Sequence, residues 1–522
     1  MTPDEGNGFY FCKDAGWTYY RITHPCIMDK LLVYWYRLRR NLPWKKEEAR
    51  GETGEMQMVK TKRGLQMGAV DMTQGTPWKQ IIRFALPLLL GNLFQQLYNT
   101  VDAAVVGNYV GSEALAAVGT SGPVINLLVG LFLGMSLGAG ILISQFFGAK
   151  AYPSIQRAVN TALLLTLALG LAVSLIGLPL APQVLQALHA PEHIYPMACS
   201  YLQVIFCGVV PMMFYNMVAS ILRALGDSKT PLIALGIASM INIGLDLFFV
   251  IVCDWGVAGV AWATVVAQSI SVLFSATKLH RMAEYTRISR DFVHPDVHML
   301  GRMVRLGLPS GIQQTAFSAG MMLVQSAINS FGQYVMAAYV VTMKVDAFCV
   351  MPLMSLGLAM TTYTGQNVGA GDMERVDKGC RQGLLLTVSI TGFLSLLLFF
   401  FGKYPLMLFT PEAELLSEGM HLLRILCPFY WVIAVNDLLS GVMRGSGNTI
   451  IPMINSMTCL CLIRIPLMYW LISAMQSADA LYYAMVIGWC VGAAFMTLFY
   501  KFSPWRRRAM EKQKREQAAR QA

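Results

Sequence analysis

The pentapeptide RFALP at residues 83–87 returns as RLGLP at 305–309, with Pro87 and Pro309 222 positions apart. Gln145, Gly148 and Ala149 return as Gln366, Gly369 and Ala370, and Arg223, Gly226 and Pro231 as Arg444, Gly447 and Pro452, each at an offset of 221. Three landmarks in one order at near-constant spacing make the chain two copies of one unit. Within each copy the sequence falls into apolar runs broken by glycine, proline or charge, at about 80–107, 113–146, 155–181, 194–224, 231–253 and 257–281, then 303–329, 333–367, 378–403, 414–443, 452–475 and 481–501. A helix needs about 20 such residues to cross a bilayer. The expected fold is therefore an all-α polytopic membrane protein, with twelve transmembrane helices in two pseudo-symmetric six-helix bundles. Six spans per copy leave both halves in the same orientation, related by an axis along the membrane normal, with a cavity between them as the substrate route.

The connectors test this count. A chain that is 55% hydrophobic and only 13% charged keeps its charge between spans, and alternate connectors should be basic if the spans are real. Lys150 and Arg157, Arg223 and Lys229, Lys278 through Arg305, Arg375 through Arg381, and Arg444 fall on one side. HAPEH, CDWG and the loop near Gln333 carry no Lys or Arg on the other, and Lys403 is the exception. The net charge of +11 thus reads as orientation at a lipid bilayer and not as nucleic-acid binding. With Lys60 to Arg83 and the RRRAMEKQKR tail basic, both ends are expected in the cytoplasm of a multi-pass cell-membrane protein, taken to act as a monomer.

The boundaries that follow are an N-terminal extension at 1–75, a first lobe at 76–281, a linker at 282–302, a second lobe at 303–502 and a basic tail at 503–522. The extension is charged, with an apolar core at IMDKLLVYWYRLRR too short to span, compatible with a surface helix at 27–38. Met67 and Met72 stand just before the organised region, so residues 1–66 are expected to be dispensable. The 11 cysteines fall mostly singly inside apolar runs and suit packing. His294 with His298, and His189 with His193, lie in connectors without further ligands, so no resident metal or cofactor is expected.

Chemistry concentrates in RFALPLLLGNLFQQLYNTVDAAVVG, Arg83 to Gly107. This span carries a mid-helix proline, Pro87, which bends it, and a lone carboxylate, Asp102. Gln95, Asn99 and Asp102 follow i, i+4, i+7 and share one face. A carboxylate inside a membrane span marks an ion or substrate path. Asn242 and Asp246, in MINIGLDLFF, share a face of the fifth span. Were Asp102 and Asp246 to meet across one cavity, desolvation and mutual repulsion would raise their affinity for a proton or a cation such as Na+.

At the matching positions of the second half stand Val324, Ile463 and Leu467, which places the ion site in the first half. Asn216 corresponds to Asp437, and Asp346 is a further acid, in TMKVDAF. Pairing with another helix and lining the cavity both fit Asp346 and Asp437, with Arg464 as a partner for one of them. Gln95, Gln96, Gln313 and Gln314 suit cavity lining or helix bridging. Gln95, Asn99, Gln314, Asp346 and Asp437 form the candidate cavity set. The RxxGxxxxP segments read as structural turns.

No GxxxxGK loop is present, so an ion gradient is the simplest energy source. No GxSxG, HExxH or paired Asp/His arrangement argues for an enzyme, and no sizeable loop domain argues for a receptor.

These residues resemble the multidrug and toxic compound extrusion (MATE) transporters: the kinked opening helix with Pro87 and Asp102, NxxxD at Asn242 and Asp246, the paired QxxGA and RxxGxxxxP segments, and two six-span halves, over about residues 75–502. The resemblance implies a V-shaped exporter, opening alternately inward and outward, that exchanges H+ or Na+ for cationic, amphipathic small molecules. It implies a first-half ion site at positions matching Asp102, Asn216, Asn242 and Asp246, and a hinge at Pro87. Some branches carry a glutamate in the seventh span, where this chain offers only glutamines, so the chain looks closer to the DNA-damage-inducible branch of bacterial members. Distant relatives of this architecture flip lipid-linked oligosaccharides; that alternative predicts a more cationic cavity.

Overall fold

The computed structural model describes residues 70–188, 191–282 and 296–521, and among these every regular element is helical. The surface helix at 27–38, most of the 1–75 extension, His189, His294 and most of the 282–302 linker lie outside the described residues.

The first lobe is built from α1 (Pro77–Val105), α2 (Ser112–Gly148), α3 (Tyr152–Ala187), α4 (Tyr195–Cys207), α5 (Val209–Ala224), α6 (Lys229–Leu247) and α7 (Gly256–Arg281). The second contains α8 (Val297–Asn329), α9 (Gln333–Ala370), α10 (Met373–Phe401), the short α11 (Lys403–Met407), α12 (Ala413–Leu426), α13 (Tyr430–Gly445), α14 (Ile450–Met457), α15 (Ile465–Met475) and α16 (Asp479–Phe502). The tail is also helical, as α17 (Trp505–Gln521).

Among the described residues nine helical segments are long and apolar enough to cross a membrane, and α4 with α5, bent by 49° at Gly208, makes a tenth. A Cβ on Gly208 would meet the Val265 side chain of α7 at 2.1 Å, so the bend leaves no room for a side chain there. The opening helices of the two lobes, α1 with 29 residues and α8 with 33, are just as long. They are more polar because α1 carries Asn92, Gln95, Gln96, Asn99 and Asp102, and α8 carries Gln313, Gln314 and Gln325. Counting both gives the twelve predicted spans. Pro87 and Pro309 lie inside these helices at matching positions.

Two boundaries differ from expectation. α8 begins before residue 303, because Asp296 caps it by accepting from Met299 N at 3.1 Å. Residues 70–75 belong to the packed body and not to the extension. Met72 is fully buried; its N–H donates to Gln366 Oε1 at 3.0 Å, and its carbonyl accepts from Asn367 Nδ2 at 3.1 Å. The repeated turns are structural as expected, since Gly226 (φ +90°) and Gly447 (φ +86°) adopt the left-handed conformation glycine tolerates.

The lobes meet along α2 and α8 through glycines four apart on each helix: Gly134 faces Gly311, and Gly138 faces Gly307. A Cβ at Gly134 would sit 2.2 Å from Gly311 N, and one at Gly138 2.4 Å from Gly307 N. Small residues at this spacing let two backbones touch, which is how helices associate in lipid, where apolar burial alone favours neither partner. Further along, toward the end that carries the basic connectors, Gly148 rests on the Gln366 backbone and Gly369 on that of Gln145. Gly134→Leu should therefore wedge the lobes apart and destabilise the protein by about 3 kcal/mol, as overpacking of a close-fitted contact does. Thermal unfolding of the purified variant in detergent checks this, and an unchanged midpoint would contradict it.

Candidate functional site

Two π-helical turns bracket the first-lobe site. Asp102 stands on the last turn of α1 just before the π turn Val106–Val110, and Asp246 on the last turn of α6 just before the π turn Phe248–Val252. Such turns locally shift side-chain direction and concentrate at functional sites. Here they end the two helices whose carboxyl groups come within hydrogen-bonding reach of each other.

Around this pair the surroundings are polar, with Asp102 half-buried. Asn242 and Asp246 are fully buried. In the orientation that satisfies both ends of its amide, Asn242 Nδ2 donates to Asp246 Oδ2 at 3.1 Å and its oxygen accepts from Thr264 N at 3.3 Å. Tyr98, one turn before Asp102, places its hydroxyl 3.1 Å from Thr264 Oγ1 of α7. Tyr201 of α4 is buried within electrostatic range of Asp102, Tyr98 and Asp246. One oxygen of each carboxyl group, Oδ1 of Asp102 and Oδ1 of Asp246, is buried without a hydrogen-bond partner. Two acids that share a pocket and keep unfilled oxygens can hold a proton between them or a small cation. Tyr98, Tyr201 and Thr264 were not singled out in the sequence; the only signal was the i, i+4 relation of Tyr98 to Asp102.

The other candidates lie elsewhere. Asn216, grouped by resemblance with the first-half ion site, spends its amide on its own helix: its Nδ2 donates to Met212 O at 2.9 Å. It lines a mostly apolar cleft with Leu128, Phe132, Ile205 and Met213. Gln95 and Asn99 are exposed on α1, and Gln314 of α8 is exposed with its stem against Gly130 of α2. Asp437 belongs to the basic end, where Arg444 Nη2 approaches its Oδ1 at 3.5 Å and its Oδ2 presses on Gly357 of α9. Asp346 sits inside the second lobe and accepts a hydrogen bond from the Tyr430 hydroxyl.

Comparison with known proteins agrees with this architecture. The MatE family model matches twice, over residues 87–248 and 309–470, once in each lobe. The chain is 28% identical over 442 residues to the probable multidrug resistance protein YpnP of Bacillus subtilis, covering 84% of this chain and 98% of that one. It is 30% identical over 399 residues to the probable multidrug resistance protein YoeA of the same organism, covering 75% and 86%. A solved outward-facing multidrug resistance MATE family transporter superposes with a TM-score of 0.78 at 25% identity, over 86% of this chain and 99% of that one. Matched in both lobes and along most of its length, the chain belongs to the MatE family and is a multi-pass membrane transporter.

Proposed function

We propose that the protein is a secondary active multidrug exporter, in which the Asp102–Asp246 pair takes up H+ or Na+ and cationic, amphipathic compounds leave in exchange by alternating access. The observation that carries this reading is the meeting of two carboxyl groups in the first lobe, each with a buried oxygen that has no hydrogen-bond partner. Leaving both carboxylates charged and empty in a low-dielectric pocket is costly, so the empty site favours whichever cation reaches it. Filling the site changes the charge felt by α1, α6 and α7 together, the helices that contribute Tyr98, Asn242 and Thr264. That is the differential interaction an ion needs in order to shift a conformational equilibrium.

Two further observations support the direction and substrate class of this reading. The lobes touch at the end carrying the basic connectors, which the positive-inside rule assigns to the cytoplasm. This contact supports reading the described state as an exporter closed at its cytoplasmic end, with both termini inside the cell. Relatives named as multidrug resistance proteins support export of varied small molecules. The test is a fluorescent lipophilic cation in proteoliposomes with Na+ and pH gradients imposed separately. One gradient alone should drive counterflow; movement under neither would refute ion coupling.

A further inference from the structure

The second lobe holds its acid in a different way. Arg464 ends the π turn Thr458–Arg464 that interrupts the eleventh span, and it is only 7% exposed. Its Nε and one of its terminal nitrogens have no hydrogen-bond partner. Asp346 and Tyr339 stand seven residues apart on one face of α9, both within electrostatic range of Arg464. The Tyr339 hydroxyl is likewise buried and unpartnered. Asp346, held by Tyr430, is separated from Arg464 by more than the 4.0 Å of a direct ion pair. Around them is apolar core, including Val345, Cys349, Met468 and Tyr482, with Gly488 against the Arg464 Cβ. Lys344, the other cation close in sequence, is directed at the Phe409 ring, 5.4 Å from its centroid.

A guanidinium enclosed in this way is costly unless an opposite charge compensates it, and Asp346 is the carboxylate within electrostatic range of it. In the first lobe the two acids meet among tyrosines, an asparagine and a threonine, with no cation in direct contact among the described residues. We propose that Arg464 is the resident cation of the second lobe: it does permanently for Asp346 what an exchangeable ion does for Asp102 and Asp246, so ion exchange is confined to the first lobe. This rests on the first-lobe reading above, which the same assay tests separately.

Asp346→Asn leaves Arg464 uncompensated, and the melting midpoint should fall by about 5 °C or more. Asp346→Asn combined with Arg464→Met removes both charges and should recover most of that loss. Arg464→Met alone leaves Asp346 without its cation, and the reconstituted protein should gain about one bound cation per chain, read as 22Na+ binding by scintillation proximity or as proton uptake after an acid jump. A double variant that melts as low as Asp346→Asn, or an Arg464→Met protein that takes up no additional cation, would overturn the proposal. Asp102→Asn in the same binding assay reports on the first lobe: loss of its cation keeps that reading whatever the Arg464 variants do, and full retention sinks it while the rescue between Asp346 and Arg464 can still be read.

Discussion

Asp102→Asn is expected to bring ion-driven export down to background, on the order of a hundredfold below the parent, the upper part of the range of a coupling free energy of about 1–3 kcal/mol. The substitution preserves shape, so the α1–α6 packing and the melting midpoint should hold. What changes is the chemistry of one oxygen. Asp102 Oδ1 is buried with no partner, whereas an amide placed there cannot release a proton and offers no charge to Na+. Its nitrogen can also donate to Asp246, which lies within hydrogen-bonding reach. The variant would therefore resemble a site already filled, unable to alternate between empty and loaded. Asp246→Asn should act alike, because Asn242 already donates to that carboxyl group and the pair loses its charge from either side. Asp437→Asn is the contrasting case. Arg444 is its partner, so stability should fall while the response of export to the ion gradient persists. Efflux by Asp102→Asn at the parental rate, with the same dependence on the gradient, would remove this site from the mechanism.

Much of this was legible in the sequence because membrane helices expose few kinds of information and the sequence carries them openly. Apolar runs had to be spans, and a repeat at 221 residues had to be two lobes. A lone acid in such a run had to be accounted for, which singled out Asp102 and Asp246 together with Asn242, its i, i+4 neighbour. Rotation about a helix axis was harder. The offset pairs Asn216 with Asp437, yet an offset fixes depth and not facing, and Asn216 lines the Leu128–Phe132 cleft. Tyr98 and Tyr201 were hidden because an aromatic residue in an apolar run looks like packing. The π turns beside Asp102 and Asp246, and the one ending at Arg464, leave no composition signal, since each changes the hydrogen-bond register and not the residue types. The partner of Asp437 was within view, two helical turns away at Arg444, but only the structure showed that the pair closes.

The landmarks that revealed the repeat turn out to hold the lobes together, and this leads to the second large expected effect. Gln145 Nε2 of α2 donates to Gly445 O at the end of α13, and Gln366 Nε2 of α9 donates to Ala224 O at the end of α5, both at 3.0 Å. Ala224 and Gly445 are themselves 221 residues apart, so the two bonds are one contact made twice, reciprocally, across the pseudo-symmetry axis. Opening the basic end requires both to break, along with the seats of Gly148 and Gly369 on the opposite backbones. Each bond lost with a buried carbonyl left behind costs about 1–1.5 kcal/mol. Gln145→Leu with Gln366→Leu should therefore shift the balance toward the state open at this end by about 2–3 kcal/mol, roughly 30- to 150-fold. Gln366→Leu alone should do more than Gln145→Leu alone, since Gln366 also accepts from Met72 N at 3.0 Å. Spin labels on Lys150→Cys and Glu374→Cys, exposed sites on opposite lobes at the basic end, would read the change in a cysteine-free background. The longer distance should become the major population in the double variant and stay minor in the parent; the same distribution in both would mean the glutamines pack the interface without controlling its opening.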